Sequence, residues 1–258
     1  MKQQIDLLRS TPWDVLVILD ACRWDAFQRV VGDGQAVRSP ANCTPAWCNA
    51  VLPILQARGA RYVTANPVVN RTYGDTALPI VSVWHDHWAR FHAERIPTVH
   101  PMSTTALGIL KAANTKAPVV VHYMQPHSPY IGTPPLAAAR ISDGQRGPTH
   151  AMSKLERPDR LVEQGALTWE DVRAAYRGNL RLAWEAVQAL LDGLAQAGRA
   201  GALVVITADH GEVLGERGRF GHEAHWVDDV LYRVPWLERR VGGEIDSIRD
   251  RLEALGYV

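Results

Sequence analysis

Cysteine is scarce in this chain, at three among 258 residues. Cys22, Cys43 and Cys48 are too few, and odd in number, for a disulfide scaffold, and such usage fits a reducing compartment. Long apolar runs are missing as well. Nothing approaches the ~18 apolar residues of a membrane span, and the opening Met-Lys-Gln-Gln-Ile-Asp-Leu-Leu-Arg-Ser has no apolar stretch of the kind a secretion signal needs. Neither sign of charge dominates: 28 Lys and Arg stand against 27 Asp and Glu, a formal +1. That balance asks for no nucleic acid and no acidic membrane surface as partner. No internal repeat is visible. These absences lead us to expect a soluble cytoplasmic protein, with residues 1–258 forming one α/β domain around a substantial core. Composition leaves the oligomeric state open.

What is present is a series of short apolar runs that end in polar residues. Leu203-Val-Val-Ile-Thr207 has the composition of a strand buried on both faces. It runs into Asp209-His210-Gly211. Trp13-Asp-Val-Leu-Val-Ile-Leu-Asp20 repeats the pattern, and Arg23 and Asp25 behind it suit a structural ion pair where a helix begins. Pro118-Val-Val-Val-His122-Tyr is a third such run, with His127 in a proline-flanked loop beyond it. His122, inside the strand, reads as a satisfied core residue. Arg61 to Asn66 is a short strand, and Ser103 to Asn114 a helix. A long helix opens at Thr168 with Asp171 in capping-box spacing, keeps an apolar stripe from Val172 to Leu194, and ends at Gly198. It serves as the crossover of a βαβ unit. The expected fold class is therefore α/β, a mostly parallel central sheet flanked by helices on both faces. Ligands of such sheets sit beyond the carboxyl ends of the strands, where Asp20, Asp209 and His210 fall.

Cys43-Thr44-Pro45-Ala46-Trp47 introduces another helix, reaching about Arg58. Thr44 suits the N-cap and Pro45 the first helical position, so an ordinary capped helix accounts for both. The same geometry gives a hydroxyl at the positive end of a helix dipole, where an alkoxide and an anion are favoured, so Thr44 is also a candidate nucleophile. His85 and His87 look like a metal pair but point about 200° apart on a helix, and a solvated helix start is the better reading. Residues 132 to 165 lack apolar period and read as a surface excursion, a possible flap over the site. After Gly215 the chain runs Glu216-Arg-Gly-Arg-Phe-Gly221-His222-Glu-Ala-His225, and two glycines bracket a loop that returns His222 toward Asp209, with His225 the weaker candidate. Tyr232 to Leu237 reads as an edge strand that tolerates Pro235. Glu244 to Leu255 reads as an amphipathic closing helix.

Taken together, Val-Ile-Leu-Asp20, Cys43-Thr-Pro-Ala-Trp, His127-Ser-Pro-Tyr, Ala-Asp209-His210-Gly-Glu, Gly-Arg-Phe-Gly-His222 and Arg-Val-Pro-Trp236 resemble the sulfatase-like branch of the alkaline phosphatase superfamily. The resemblance implies a metal-dependent hydrolase or transferase acting on a small-molecule phosphate or sulfate ester, a phosphatase or phosphodiesterase in kind. It implies that Asp20, Thr44, Asp209 and His210 hold a divalent ion (Mn, Zn, Mg or Ca), while His127 and His222 face the substrate anion and leaving group. Formylglycine-forming sulfatases use Cys-x-Pro-x-Arg, and here Trp47 replaces the arginine, which favours unmodified Thr44 as nucleophile over Cys43. No aspartate precedes a histidine by four residues in the His127 loop, which implies one metal, and Ala21 stands where many sulfatases carry a further carboxylate. The rival readings are a sulfatase working through a formylglycine made from Cys43, and a non-catalytic relative that binds a metal or an anion.

Overall fold

The computed structural model describes residues 1–74, 78–91, 96–136 and 157–242. Its strands are β1 (Lys2–Gln3), β2 (Val15–Leu19), β3 (Gln35–Arg38), β4 (Arg61–Thr64), β5 (Ile80–Ser82), β6 (Trp88–Phe91), β7 (Ile96–Val99), β8 (Val119–Tyr123), β9 (Leu203–Thr207), β10 (Val213–Leu214), β11 (Phe220–Gly221) and β12 (Arg233–Arg240). Its helices are α1 (Gln4–Ser10), α2 (Trp24–Val30), α3 (Thr44–Ala57), α4 (Pro67–Tyr73), α5 (Val83–Asp86), α6 (Pro101–Ala113), α7 (Pro158–Glu163), α8 (Trp169–Gln196) and α9 (Asp229–Tyr232).

Eight strands form one sheet in the order β1-β3-β12-β9-β2-β8-β4-β5. The run from β9 to β5 is parallel throughout, and β12 is antiparallel to both its neighbours. Every residue of β2, β8 and β9 is buried. Burial on both faces is what continuous Val/Ile/Leu runs require, since alternation would leave one face to water. Consecutive residues of β8 show the two layers directly. His122 meets the Trp47 ring of α3 on one face, and the Tyr123 hydroxyl meets Thr105 of α6 on the other. The expected α/β sheet covered on both faces is thus the observed one.

The long helix α8 joins β8 to β9 and crosses over β2, as its stripe implied. Val172, Ala175, Tyr176, Leu180, Val187, Leu190, Leu191 and Leu194 are all buried, and burying each large apolar side chain contributes about 1.5–3 kcal/mol. The capping box is present, with the Thr168 hydroxyl accepting from the Asp171 N–H and the Asp171 carboxylate accepting from the Thr168 N–H.

Three expectations need correction. β12 is an interior strand, not an edge. Pro235 is tolerated because its carbonyl faces the β9 side, where it accepts from the Thr207 hydroxyl at 2.6 Å, and a residue's N–H points the same way as its C=O. Its missing donor therefore lies beyond the last β9 rung, Trp236 opposite Thr207, where no ladder bond is lost. Residues 132–165 are not all surface: Gly132 and Leu136 are buried, and α7 occupies part of the stretch. The central part of that stretch, with the possible flap, and the closing helix of Glu244 to Leu255 lie outside the described residues. Finally, Thr44 is not the N-cap of α3. Cys43 holds that position, and Thr44 is the first helical residue with its hydroxyl engaged elsewhere. At the remote histidines, α5 is the short solvated helix expected, with His85 exposed and paired to Asp86.

Replacing Thr168 with Ala removes half of the capping box. Urea unfolding is expected to show a loss of about 1 kcal/mol with the slope unchanged. An unaltered midpoint would mean that α8 does not depend on its cap.

Candidate active site

Four adjacent parallel strands, β9, β2, β8 and β4, end along one edge of the sheet, and each hands over to a polar residue: Asp209, Asp20, His127 and Asn66 respectively. The N-terminus of α3 adds Thr44. Its hydroxyl donates to Asp209 Oδ2 at 2.8 Å and lies 3.3 Å from His210 Nε2. His210 Nε2 is 3.3 Å from Asp209 Oδ2 and 3.7 Å from Asp20 Oδ1. All four side chains that the sequence assigned to a metal therefore meet, and all are buried.

The hydrogen bonds around them decide which atoms remain free. His210 Nδ1 sits 2.8 Å from the Gly211 carbonyl, which can only accept, so Nδ1 carries the proton and Nε2 presents a lone pair. Asp209 Oδ1 accepts from the backbone N–H groups of Ala21 and His210, and the Asp209 carbonyl accepts from Ser39. Asp20 is poorer in partners. Asn66 donates to its Oδ2 at 2.5 Å and also approaches the Thr44 oxygen at 3.3 Å, while Asp20 Oδ1 is buried with no hydrogen-bond partner. Burial, and then the adjacent Asp209, push the Asp20 carboxyl well above the usual range. Burial holds His210 at about 4 against the pull of Asp209.

These donors fit a divalent cation. An orphaned carboxylate oxygen, a second buried carboxylate and an imidazole lone pair form a mixed O/N set with too much negative charge to stand alone. Such a set suits several ions and does not choose among Mn, Zn, Mg and Ca. Among the described residues, Asp20, His122 and Asp209 also offer ligand atoms within 4.8 Å of one another. This corrects the reading of His122 as a satisfied core residue. Its Nδ1 pairs with the Tyr62 hydroxyl at 2.9 Å, but its Nε2 is buried without a partner, 3.9 Å from Asp20 Oδ2.

The histidines beyond this centre are also brought in. The His222 ring lies 4.3 Å from that of His210 and 5.2 Å from that of His127. His222 Nδ1 is 2.8 Å from Glu212 Oε1, and Glu212 is buried. Burial opposes charge on His222, but Glu212 outweighs it and the net displacement is upward. For His127 burial prevails over Glu212, and the displacement is downward. His127 Nδ1 donates to the Ser128 carbonyl at 2.5 Å, which leaves Nε2 as an acceptor. His225 is exposed, packs on Trp226 and does not join. Cys43 is a half-buried free thiol at the N-cap, and the side chain that reaches Asp209 and His210 is that of Thr44.

Sequence reasoning missed Asn66 and Glu212. Asn66 precedes Pro67 and caps α4 through its Oδ1, the ordinary use of such a residue, and only its position at a strand end hinted at more. Glu212 stands two residues past His210, and its pairing spans ten residues. Arg23 forms the expected ion pair with Asp25 and also reaches the Glu212 carbonyl and Glu216.

Carboxylates and histidines gathered at the carboxyl ends of a mostly parallel sheet define an α/β protein with a ligand site at the strand ends. A family model described as Sulfatase matches residues 97–243, more than half of the chain, and the chain belongs to that family, in the sulfatase-like branch of the alkaline phosphatase superfamily. Among solved structures it is similar to the integral membrane protein lipooligosaccharide phosphoethanolamine transferase A (EptA) from Neisseria meningitidis, with a TM-score of 0.60 at 13% identity over 90% of this chain. It spans about half of that protein, 49% of its length. The C-terminal periplasmic domain of phosphoethanolamine transferase EptC from Campylobacter jejuni superposes with a TM-score of 0.57 at 12% identity, covering 94% of this chain and 81% of that one. BT4656, solved with its substrate D-glucosamine-2-N,6-O-disulfate, gives 0.52 at 14% identity, covering 89% and 71%. At these identities the likeness is one of fold. No curated protein matches the chain.

Titration of the metal-free protein with Mn²⁺ or Zn²⁺, followed by calorimetry, is expected to show binding that Asp20→Asn abolishes and Asn66→Ala weakens by about 10- to 100-fold. Wild-type affinity in Asp20→Asn would remove Asp20 from the ligand set.

Proposed function

We propose that this protein hydrolyses or transfers a phosphate ester through a covalent intermediate on Thr44. The observation that carries this reading is the Thr44 hydroxyl at the first turn of α3, 2.8 Å from Asp209 Oδ2 and 3.3 Å from His210 Nε2. A hydroxyl buried against a carboxylate and an imidazole, at the positive end of a 14-residue helix, is placed for nucleophilic attack on an anion. The phosphoethanolamine transferases that share the fold support a phospho-group as cargo.

Asp20, Thr44, Asp209 and His210 would hold one divalent ion, whose charge stabilises an alkoxide at Thr44 and offsets the charge of the transferring group. The remaining work falls to the chain. Thr44 Oγ1, its proton leaving along the bond to Asp209, attacks phosphorus, and the ester P–O bond on the far side breaks. His222 donates from Nε2 to the departing oxygen, because its Nδ1 is committed to Glu212 and that carboxylate favours the charged ring. In the second half the incoming hydroxyl, of water for hydrolysis or of an alcohol for transfer, gives its proton to His127 Nε2. It then attacks phosphorus, and the Thr44–phosphorus bond breaks. Thr44 Oγ1 takes back the proton held on Asp209, and the proton on His127 passes to the adjacent His222 ring to restore the starting state. Two histidines beside one carboxylate thus take opposite roles because their surroundings differ.

With the metal-loaded enzyme and an aryl phosphodiester, Thr44→Ala is expected to lower kcat by at least about a thousandfold. Intact mass of acid-quenched wild type should show the phosphoryl-bearing group on the peptide containing Thr44, with Cys43 unmodified. Formylglycine at Cys43, together with turnover of aryl sulfates alone, would overturn the phospho-ester reading in favour of a sulfatase. Metal binding without turnover of any phosphate or sulfate ester would favour the non-catalytic relative.

A further inference from the structure

Two polar side chains of α8, Tyr176 and Asn179, are fully buried less than one turn apart. A buried asparagine in a helix is unfavourable unless its amide is satisfied. Asn179 is satisfied five times, and never by its own helix. Its Oδ1 accepts from the backbone N–H groups of Ile131 at 2.9 Å and Gly132 at 3.1 Å. Its Nδ2 donates to the carbonyls of His127 at 3.1 Å and of Pro126 and Pro129 at 3.3 Å. All five belong to the loop beyond β8.

That loop cannot hold itself by a regular ladder, because Pro126 and Pro129 have no N–H to give. It is pressed onto α8 instead. A Cβ on Gly178 would lie 2.4 Å from the Thr133 carbonyl oxygen, and one on Gly132 would lie 2.3 Å from the Gly178 carbonyl carbon, so only glycine fits at either position. Within the loop, the His127 N–H donates to the Asp20 carbonyl at 3.0 Å, while its carbonyl is taken by Asn179. Tyr176 does the corresponding task on the segment after β2. Its hydroxyl donates to the Ala21 carbonyl at 2.7 Å and accepts from the Arg23 N–H at 2.9 Å. One rigid helix therefore grips, three residues apart, the two loops that carry Asp20 and His127.

We propose that Asn179 is a positioning residue that sets His127 in place for its proton transfer, with α8 as the common ruler between His127 and Asp20. The proposal rests on the reading of His127 as acceptor in the second half-reaction. A misplaced His127 slows the release of Thr44 without touching the first attack.

The test is Asn179→Ser in the metal-loaded full chain. With an aryl phosphodiester, kcat is expected to fall about 10- to 100-fold while kcat/KM stays within about threefold, and phosphorylated Thr44 should accumulate in quenched samples. Added to His127→Ala, the substitution should cost less than about twofold more, as for two residues acting through one step. Equal losses in the two backgrounds, or kcat/KM falling with kcat, would reduce Asn179 to a structural residue and overturn the proposal. Should Asn179→Ser fail to fold, Asn179→Asp keeps the acceptor for the Ile131 and Gly132 N–H groups while losing the donor to the His127 carbonyl, and the same pattern is expected. Hydrogen exchange supplies a readout free of turnover: amides within 126–132 should exchange at least about tenfold faster in the variant, and those within 20–23 should not. If wild type turns over no ester, the phospho-ester reading falls, and exchange alone decides the positioning. Unchanged protection of 126–132 would then overturn it.

Discussion

The structure depends on two carboxylates, Asp20 and Asp209, buried beside each other at the ends of adjacent parallel strands. Neither sees solvent, and like charges in a low-dielectric interior repel strongly. The surroundings answer this unevenly. Asp209 collects two backbone N–H groups and the Thr44 hydroxyl, whereas Asp20 keeps one oxygen without a partner. Even the backbone is drawn in: Ala21 adopts a φ of +59°, rare for a residue with a Cβ, and in that conformation its N–H reaches Asp209. Strain and an orphaned carboxylate oxygen in one place suit a site that a cation would fill.

Around that centre the chemistry is sorted by partner rather than by residue type. His210, His127 and His222 form a continuous series of rings, yet each has a different second contact. The Gly211 carbonyl takes the His210 proton side, the Ser128 carbonyl takes that of His127, and ionised Glu212 takes that of His222. A carbonyl leaves the opposite nitrogen as a lone pair, while a carboxylate favours the charged ring. The same side chain thus presents a free lone pair at two positions and a favoured charge at a third within a few ångströms.

Loops carry these groups, and buried polar side chains hold the loops. Arg23 ties the Glu212 carbonyl to Asp25 and Glu216, and Asn42, next to Cys43, donates to the carbonyls of Glu223, Ala224 and Trp226 beyond His222. Such contacts replace the ladder that a strand would supply. They also explain why the site edge is polar while β2, β8 and β9 beneath it are mostly apolar.

The family resemblance implied the meeting of Asp20, Thr44, Asp209 and His210. The patterning of the sequence by itself determined the strands β2, β8 and β9, the helix α8 with its cap, and the place of Asp20 and Asp209 at the strand ends. Those features are local: both-face burial writes a continuous apolar run, and a residue just past such a run falls at the sheet's carboxyl edge. Tertiary structure alone decided the rest. β12 entered the interior of the sheet, Thr44 gave up the cap for Asp209, His122 kept an unpaired nitrogen, and Asn66, Glu212 and Asn179 acquired their tasks. Each outcome turns on a partner tens to hundreds of residues away, or on which of two nitrogens a carbonyl occupies, and no periodicity in the chain encodes either.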